Sequence, residues 1–215
     1  MARGADDEYF RGLFQKTGIH AGARTKFLSR LFGIFSENIV SIWADDPRAR
    51  YENLGRPTVR SVGALRGYTL DFTFRERATG RIYVSEMKCE IEYQNFRYFV
   101  LERADQLAHH QKPAFQAFLD AANRAPGQTV HVGRKVVDTD GAILVWGSIT
   151  PAGQEAVMKE MGFYDVLSLE RICEDLVGWR SERYIELLNA RRDWCNQLFC
   201  GLLGEPGEAP RDPGP

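Results

Sequence analysis

The 215-residue chain carries 28 basic and 29 acidic residues, a formal charge of −1, and 44% hydrophobic residues. That length suits one domain, or one domain with a helical appendage, and the apolar content supplies a core and excludes global disorder. A near-neutral balance excludes nucleic-acid binding driven by net charge alone.

Charge is nevertheless uneven. Residues 1–100 hold 16 Lys and Arg against 12 Asp and Glu, and residues 101–215 hold 12 against 17, so a modest positive field covers the first half. Cys89, Cys173, Cys195 and Cys200 form no CxxC pair and no Cys–His cluster of zinc-finger spacing; they read as free thiols in a reducing compartment. The start, MARGADDEYF, is charged, unlike an export signal, and no apolar run nears the ~20 residues needed to span a bilayer. The expectation is a cytoplasmic protein with no membrane partner.

In chain order, residues 6–16 read as a short helix with acids in its first turn. From Arg24 to Trp43, Leu28, Leu31, Phe32, Phe35, Ile39 and Ile42 recur at helical spacing. Either one helix runs through Gly33, or a first helix stops there and Ser36 caps a second. Residues 51–67 read as loop with a strand around Thr58–Val62. Tyr68–Arg75 and Arg81–Cys89 alternate as the arms of a hairpin turning at Ala78-Thr79-Gly80. Residues 97–125 read as helical, with Pro113 kinking the helix or opening a second. AILVWGS at 142–148 suits a buried strand. A helix over 151–161 starts at Thr150-Pro151, an N-cap followed by proline. A short strand at 164–169, helices over 170–200 and a Pro/Gly-rich tail follow. Alternating strands and helices imply an α/β fold with a mixed central sheet flanked by helices. The expected organisation is an N-terminal helical extension (1–23), an α/β core (24–170), extra C-terminal helices (171–203) and a disordered tail (204–215).

The chemistry-bearing residues lie on the hairpin. Asp71 is followed fifteen positions later by Glu86-Met87-Lys88. Two carboxylates can hold Mg²⁺ or Mn²⁺, because hard cations take oxygen ligands. A neighbouring lysine can orient water or neutralise charge on a reacting phosphate. Alternate residues of a strand share a face, about 7 Å apart, so Glu86 and Lys88 go together. A two-residue turn at Thr79-Gly80 sets Asp71 opposite Lys88, and Glu86 opposite Thr73. All three groups then converge, whereas a one-residue slip sends Asp71 to the other face. The bland alternative is an exposed hairpin with a cross-strand Asp–Lys pair. Against it, these polar residues stand among Leu70, Phe72, Phe74, Val84 and Met87, where they are costly without a purpose.

Asp71 with Glu86-Met87-Lys88, set in a helix–three strands–helix–strand order over residues 24–150, resembles the PD-(D/E)XK nuclease superfamily, whose fold is restriction-endonuclease-like. Leu70 stands where the motif's proline would be. The resemblance implies a Mg²⁺-dependent (or Mn²⁺-dependent) endonuclease acting on DNA in microbial restriction, phage defence or repair, alone, as a homodimer or with a partner protein. It implies that Asp71, Glu86 and the Met87 carbonyl bind metal and that Lys88 assists the water. A further glutamate from the first helix would be Glu37, although in one continuous helix Glu37 points away from the apolar stripe; Glu90, on the Glu86/Lys88 face, is the alternative. A different class of reading is a catalytically weak DNA-binding or assembly subunit of the same fold. Arg56, Arg60 and Arg66 before the motif, and Gln94, Asn95 and Arg97 after it, are the candidates for nucleic-acid contacts. His109 and His110, read as helical, would face about 100° apart, so a shared metal is not expected of them.

Overall fold

The computed structural model describes residues 26–92 and 97–204. The expected N-terminal helix, Gln94 and Asn95, and the tail from 205 lie outside the described residues. The chain divides into two compact units, Met1–Glu174 and Asp175–Pro215.

The first unit is mixed α/β. Helix α1 (Lys26–Asp45) precedes strand β1 (Tyr51–Asn53), followed by β2 (Pro57–Ser61), β3 (Tyr68–Thr69), β4 (Phe72–Glu76) and β5 (Ile82–Met87). Short strands β6 (Ile91–Glu92), β7 (Arg97–Tyr98) and β8 (Val100–Leu101) lead to a 3₁₀ turn at Ala104–Leu107 and helix α2 (Pro113–Ala122). Then come β9 (Gln128–Val132), β10 (Lys135–Val137), β11 (Ala142–Trp146), β12 (Ser148–Ile149), α3 (Pro151–Met161), β13 (Asp165–Ser168) and α4 (Leu169–Gly178). The second unit holds the end of α4 and helix α5 (Glu182–Leu203); α5 leaves Trp194 and Phe199 more than half exposed. Among the described residues no helix is long and apolar enough to cross a membrane.

The central sheet has the order β1-β4-β5-β11-β13. β1, β4 and β5 pair antiparallel in that order, and β11 runs parallel to both β5 and β13. Parallel neighbours need crossovers; α2 lies in the first and α3 in the second. β11 explains itself: Ala142, Ile143, Leu144, Val145 and Trp146 are all buried, as a strand between two parallel neighbours requires. On one side, Val84, Leu144 and Trp146 pack with Phe115 and Phe118 of α2. Elsewhere an aromatic chain links Trp43, Tyr51, Phe74 and Tyr83 at centroid distances of 5.9–6.5 Å.

Two alternatives left open by the sequence are decided here, and two expectations are corrected. Helix α1 runs unbroken through Gly33, so Ser36 is not a cap; its hydroxyl pairs with Tyr98 Oη at 3.1 Å. One glycine costs a helix only about 1 kcal/mol relative to alanine, which the packing of α1 outweighs. Residues 97–101 are extended, not helical, and Pro113 opens α2 as its first residue rather than kinking a longer helix. Tyr68–Thr69 pairs with β2, outside the hairpin. A second, antiparallel sheet, β10-β9-β2-β3, lies beyond those expectations.

The end of the sheet away from Asp71 is tied by polar groups. Asp165 is buried and accepts hydrogen bonds from Arg50 (3.0 Å), Tyr51 (2.8 Å) and Gln154 (3.2 Å). Arg50 also reaches Glu76 at 2.7 Å. Removing one member strands the others. Because Arg50 is half exposed, the loss is discounted. Asp165→Ala is expected to lower unfolding free energy by about 2 kcal/mol, read as a lower urea midpoint at unchanged slope. A midpoint equal to wild type would show that this network contributes nothing net.

Candidate active site

The β4–β5 hairpin sets the geometry. The ladder pairs Phe72 with Ser85, Thr73 with Val84, Phe74 with Tyr83 and Arg75 with Ile82. This differs by two residues from the expected register, because the loop is four residues long rather than two. Gly80 closes it with φ 74°, donating its amide to the Glu76 carbonyl at 2.8 Å, a backbone conformation that favours glycine. A two-residue shift keeps the facing of every side chain. Continued outward, the ladder brings Asp71 level with Glu86 instead of Lys88. Asp71 Oδ2 in fact accepts the Met87 amide at 2.8 Å.

Lys88 forms an ion pair with Glu86. Its backbone amide continues the parallel ladder by donating to the Val145 carbonyl at 2.9 Å. Arg56, from the segment between β1 and β2, lies 3.4 Å from Asp71 and 3.8 Å from Glu37. Arg56 therefore sits inside the acidic group, not beside it. Glu37 is brought in although α1 is continuous. The helix face that is buried consists of Ser36, Ile39, Val40, Trp43 and Ala44, while Leu31 and Ile34 are exposed. The stripe drawn through every apolar residue was thus rotated from the one that packs, and Glu37 flanks the true face.

Glu37, Glu86, Met87, Lys88 and Glu90 line a cleft of about 490 Å³. Asp71 adjoins it through the Met87 amide. His109, His110, Lys112 and Phe115 line it as well, and the helix expected over residues 97–125 would have directed the two histidines differently. Arg60 on β2, Arg66 in the exposed loop before β3 and the exposed Arg97 on β7 do not line it. The Glu90 carboxylate lies in the cleft but is engaged by His109 at 2.6 Å.

Electrostatically the acids crowd one another. Burial, then the charge of Asp71, lifts the Glu86 pKa to about 7 against the opposing pull of Lys88. Glu37 is raised by burial and by Asp71, with Arg56 and Lys88 opposing. Glu86 Oε2 is buried and has no hydrogen-bond partner among the described groups. A hard divalent cation fits such a place: it supplies the missing partner and the missing positive charge, and Asp71, Glu86 and Glu37 are oxygen donors.

No family model, no curated protein and no solved structure matches the chain.

The raised pKa of Glu86 has a stability consequence. Glu86 is easier to protonate in the folded chain than in the unfolded one, so its favourable contribution is full below about pH 4.5 and is lost as pH rises through about 7. In chelator, Glu86→Gln is expected to match wild type at pH 4 and to exceed it above pH 7 by up to about 3 kcal/mol, measured by urea unfolding. A variant less stable than wild type at pH 8 would contradict this electrostatic picture.

Proposed function

We propose that this chain is a divalent-metal-dependent nuclease that hydrolyses phosphodiester bonds in DNA, with the restriction-endonuclease-like fold of the PD-(D/E)XK superfamily. The observation carrying this reading is the convergence of Asp71, Glu86 and Lys88 where β4 and β5 leave their ladder, with a buried Glu86 oxygen lacking a partner. The strand order supports it: after helix α1 come the mutually antiparallel strands β1, β4 and β5, then helix α2 and the parallel strand β11.

Asp71 and Glu86 would hold Mg²⁺ or Mn²⁺, with the Met87 carbonyl and Glu37 as further oxygen donors. When bound, the cation supplies polarisation of the phosphate and stabilisation of the leaving oxygen. Lys88 places an ammonium at the same spot, able to hold the attacking water by hydrogen bond and to offset charge on the reacting phosphate. Arg56 has a guanidinium whose planar fork suits phosphate oxygens. It bridges two carboxylates of the site and is 58% exposed, so it can exchange a carboxylate for a phosphate at little desolvation cost.

Plasmid and single-stranded DNA cleavage in Mg²⁺ or Mn²⁺ tests the reading. Asp71→Ala and Lys88→Ala are each expected to reduce cutting at least about 100-fold while keeping the wild-type circular dichroism spectrum. Cutting at the wild-type rate by either variant would place the activity elsewhere.

A further inference from the structure

The same cleft carries a second group of metal-ligand types. Glu90 follows β5, and its carbonyl accepts the Phe99 amide at 2.9 Å. His109 and His110 stand in the turn after the 3₁₀ segment, where the 100° rotation between successive helical residues does not apply. His109 Nε2 lies 2.6 Å and His110 Nε2 3.6 Å from the same Glu90 Oε1. The three ligand atoms all fall within 4.8 Å of one another.

The turn is braced. Leu107 is buried, and its carbonyl accepts the His110 amide at 3.0 Å. The Gln106 side chain accepts the amides of Glu102 (2.7 Å) and Arg103 (2.9 Å) and donates to the Val100 carbonyl (2.9 Å). The His110 ring is held between Phe115 (5.2 Å) and Trp146 (6.5 Å), and the two imidazoles lie 4.1 Å apart. Three ligands at ~2.1 Å from one tetrahedral ion stand roughly 3.4 Å apart. His110 and Glu90 are already at that separation, and the His109–Glu90 contact needs to open by less than ~1 Å to meet it.

We propose that Glu90, His109 and His110 bind a first-row transition-metal cation of the Zn²⁺ class. Two imidazoles and one carboxylate select such an ion over Mg²⁺ or Ca²⁺, which take all-oxygen shells. Three protein ligands leave at least one coordination position for water or an anion from the cleft. The site is separate in donors and in metal preference from the Asp71/Glu86 pair, and it stands whether or not the chain cuts DNA.

The test uses the full chain, stripped with chelator. Calorimetric titration with Zn²⁺, repeated in excess Mg²⁺, is expected to show one equivalent that Mg²⁺ does not displace. Co²⁺ in place of Zn²⁺ should give the visible d–d bands of a low-coordinate nitrogen-ligated site. His109→Ala, at an exposed turn position, and Glu90→Gln should each weaken Zn²⁺ binding at least about 100-fold, and Asp71→Asn should leave it intact. Absence of stoichiometric Zn²⁺ binding would overturn the proposal. So would equal binding by His109→Ala and Glu90→Gln, or loss of binding in Asp71→Asn instead.

Discussion

The Met87 amide donates to Asp71 Oδ2 at 2.8 Å, and that bond marks where the β4–β5 ladder ends. Asp71 is there because the loop at 77–80 has an even number of residues, so side chains level with one another across the hairpin keep a common face. Glu86 and Lys88 share their face by the two-residue period of a strand. Deeper in the sheet, Thr73, Val84 and Ser85 are fully buried on its two faces, so a slip by one residue would disrupt packing on both and carry Asp71 and Glu86 to opposite faces. Burial of the hairpin thus holds the acids together although they repel one another.

That repulsion is visible in Glu86, whose proton affinity is raised by burial and by Asp71. Lys88 and Arg56 answer part of the charge. A chain selected only for stability would replace such a group with an apolar one, since buried ion pairs are often neutral or costly against a hydrophobic substitute. Groups that break local rules concentrate at functional sites. The opposite end of the sheet makes the contrast, because there Asp165 accepts hydrogen bonds from three side chains and from the Val166 amide.

Much of this arrangement was legible in the sequence. AILVW at β11, the Thr150-Pro151 cap of α3, whose hydroxyl accepts the Gly153 amide at 3.0 Å, and the facing of the hairpin all follow from local pattern. What was not legible depends on tertiary packing. Which stripe of α1 is buried is decided by the sheet it meets, and so the position of Glu37 could not be read from periodicity. Residues 97–101 are apolar and aromatic and fit either a helix or a strand; pairing with β6 and β12 settles them as extended. With that, the histidines move from a helix to a turn. The β9–β10 hairpin did leave a signal, an alternating TVHV followed by Gly133-Arg134, a two-residue turn between the paired Val132 and Lys135.

The chemistry of this site turns on whether Asp71 and Glu86 share a cation. The most direct measurement is anomalous diffraction from crystals of the full chain grown with Mn²⁺. A manganese peak is expected within ~2.3 Å of oxygens from both carboxylates, with Arg56 displaced from Asp71. A crystal in saturating Mn²⁺ that keeps Arg56 on Asp71, with no peak between the two acids, would contradict it.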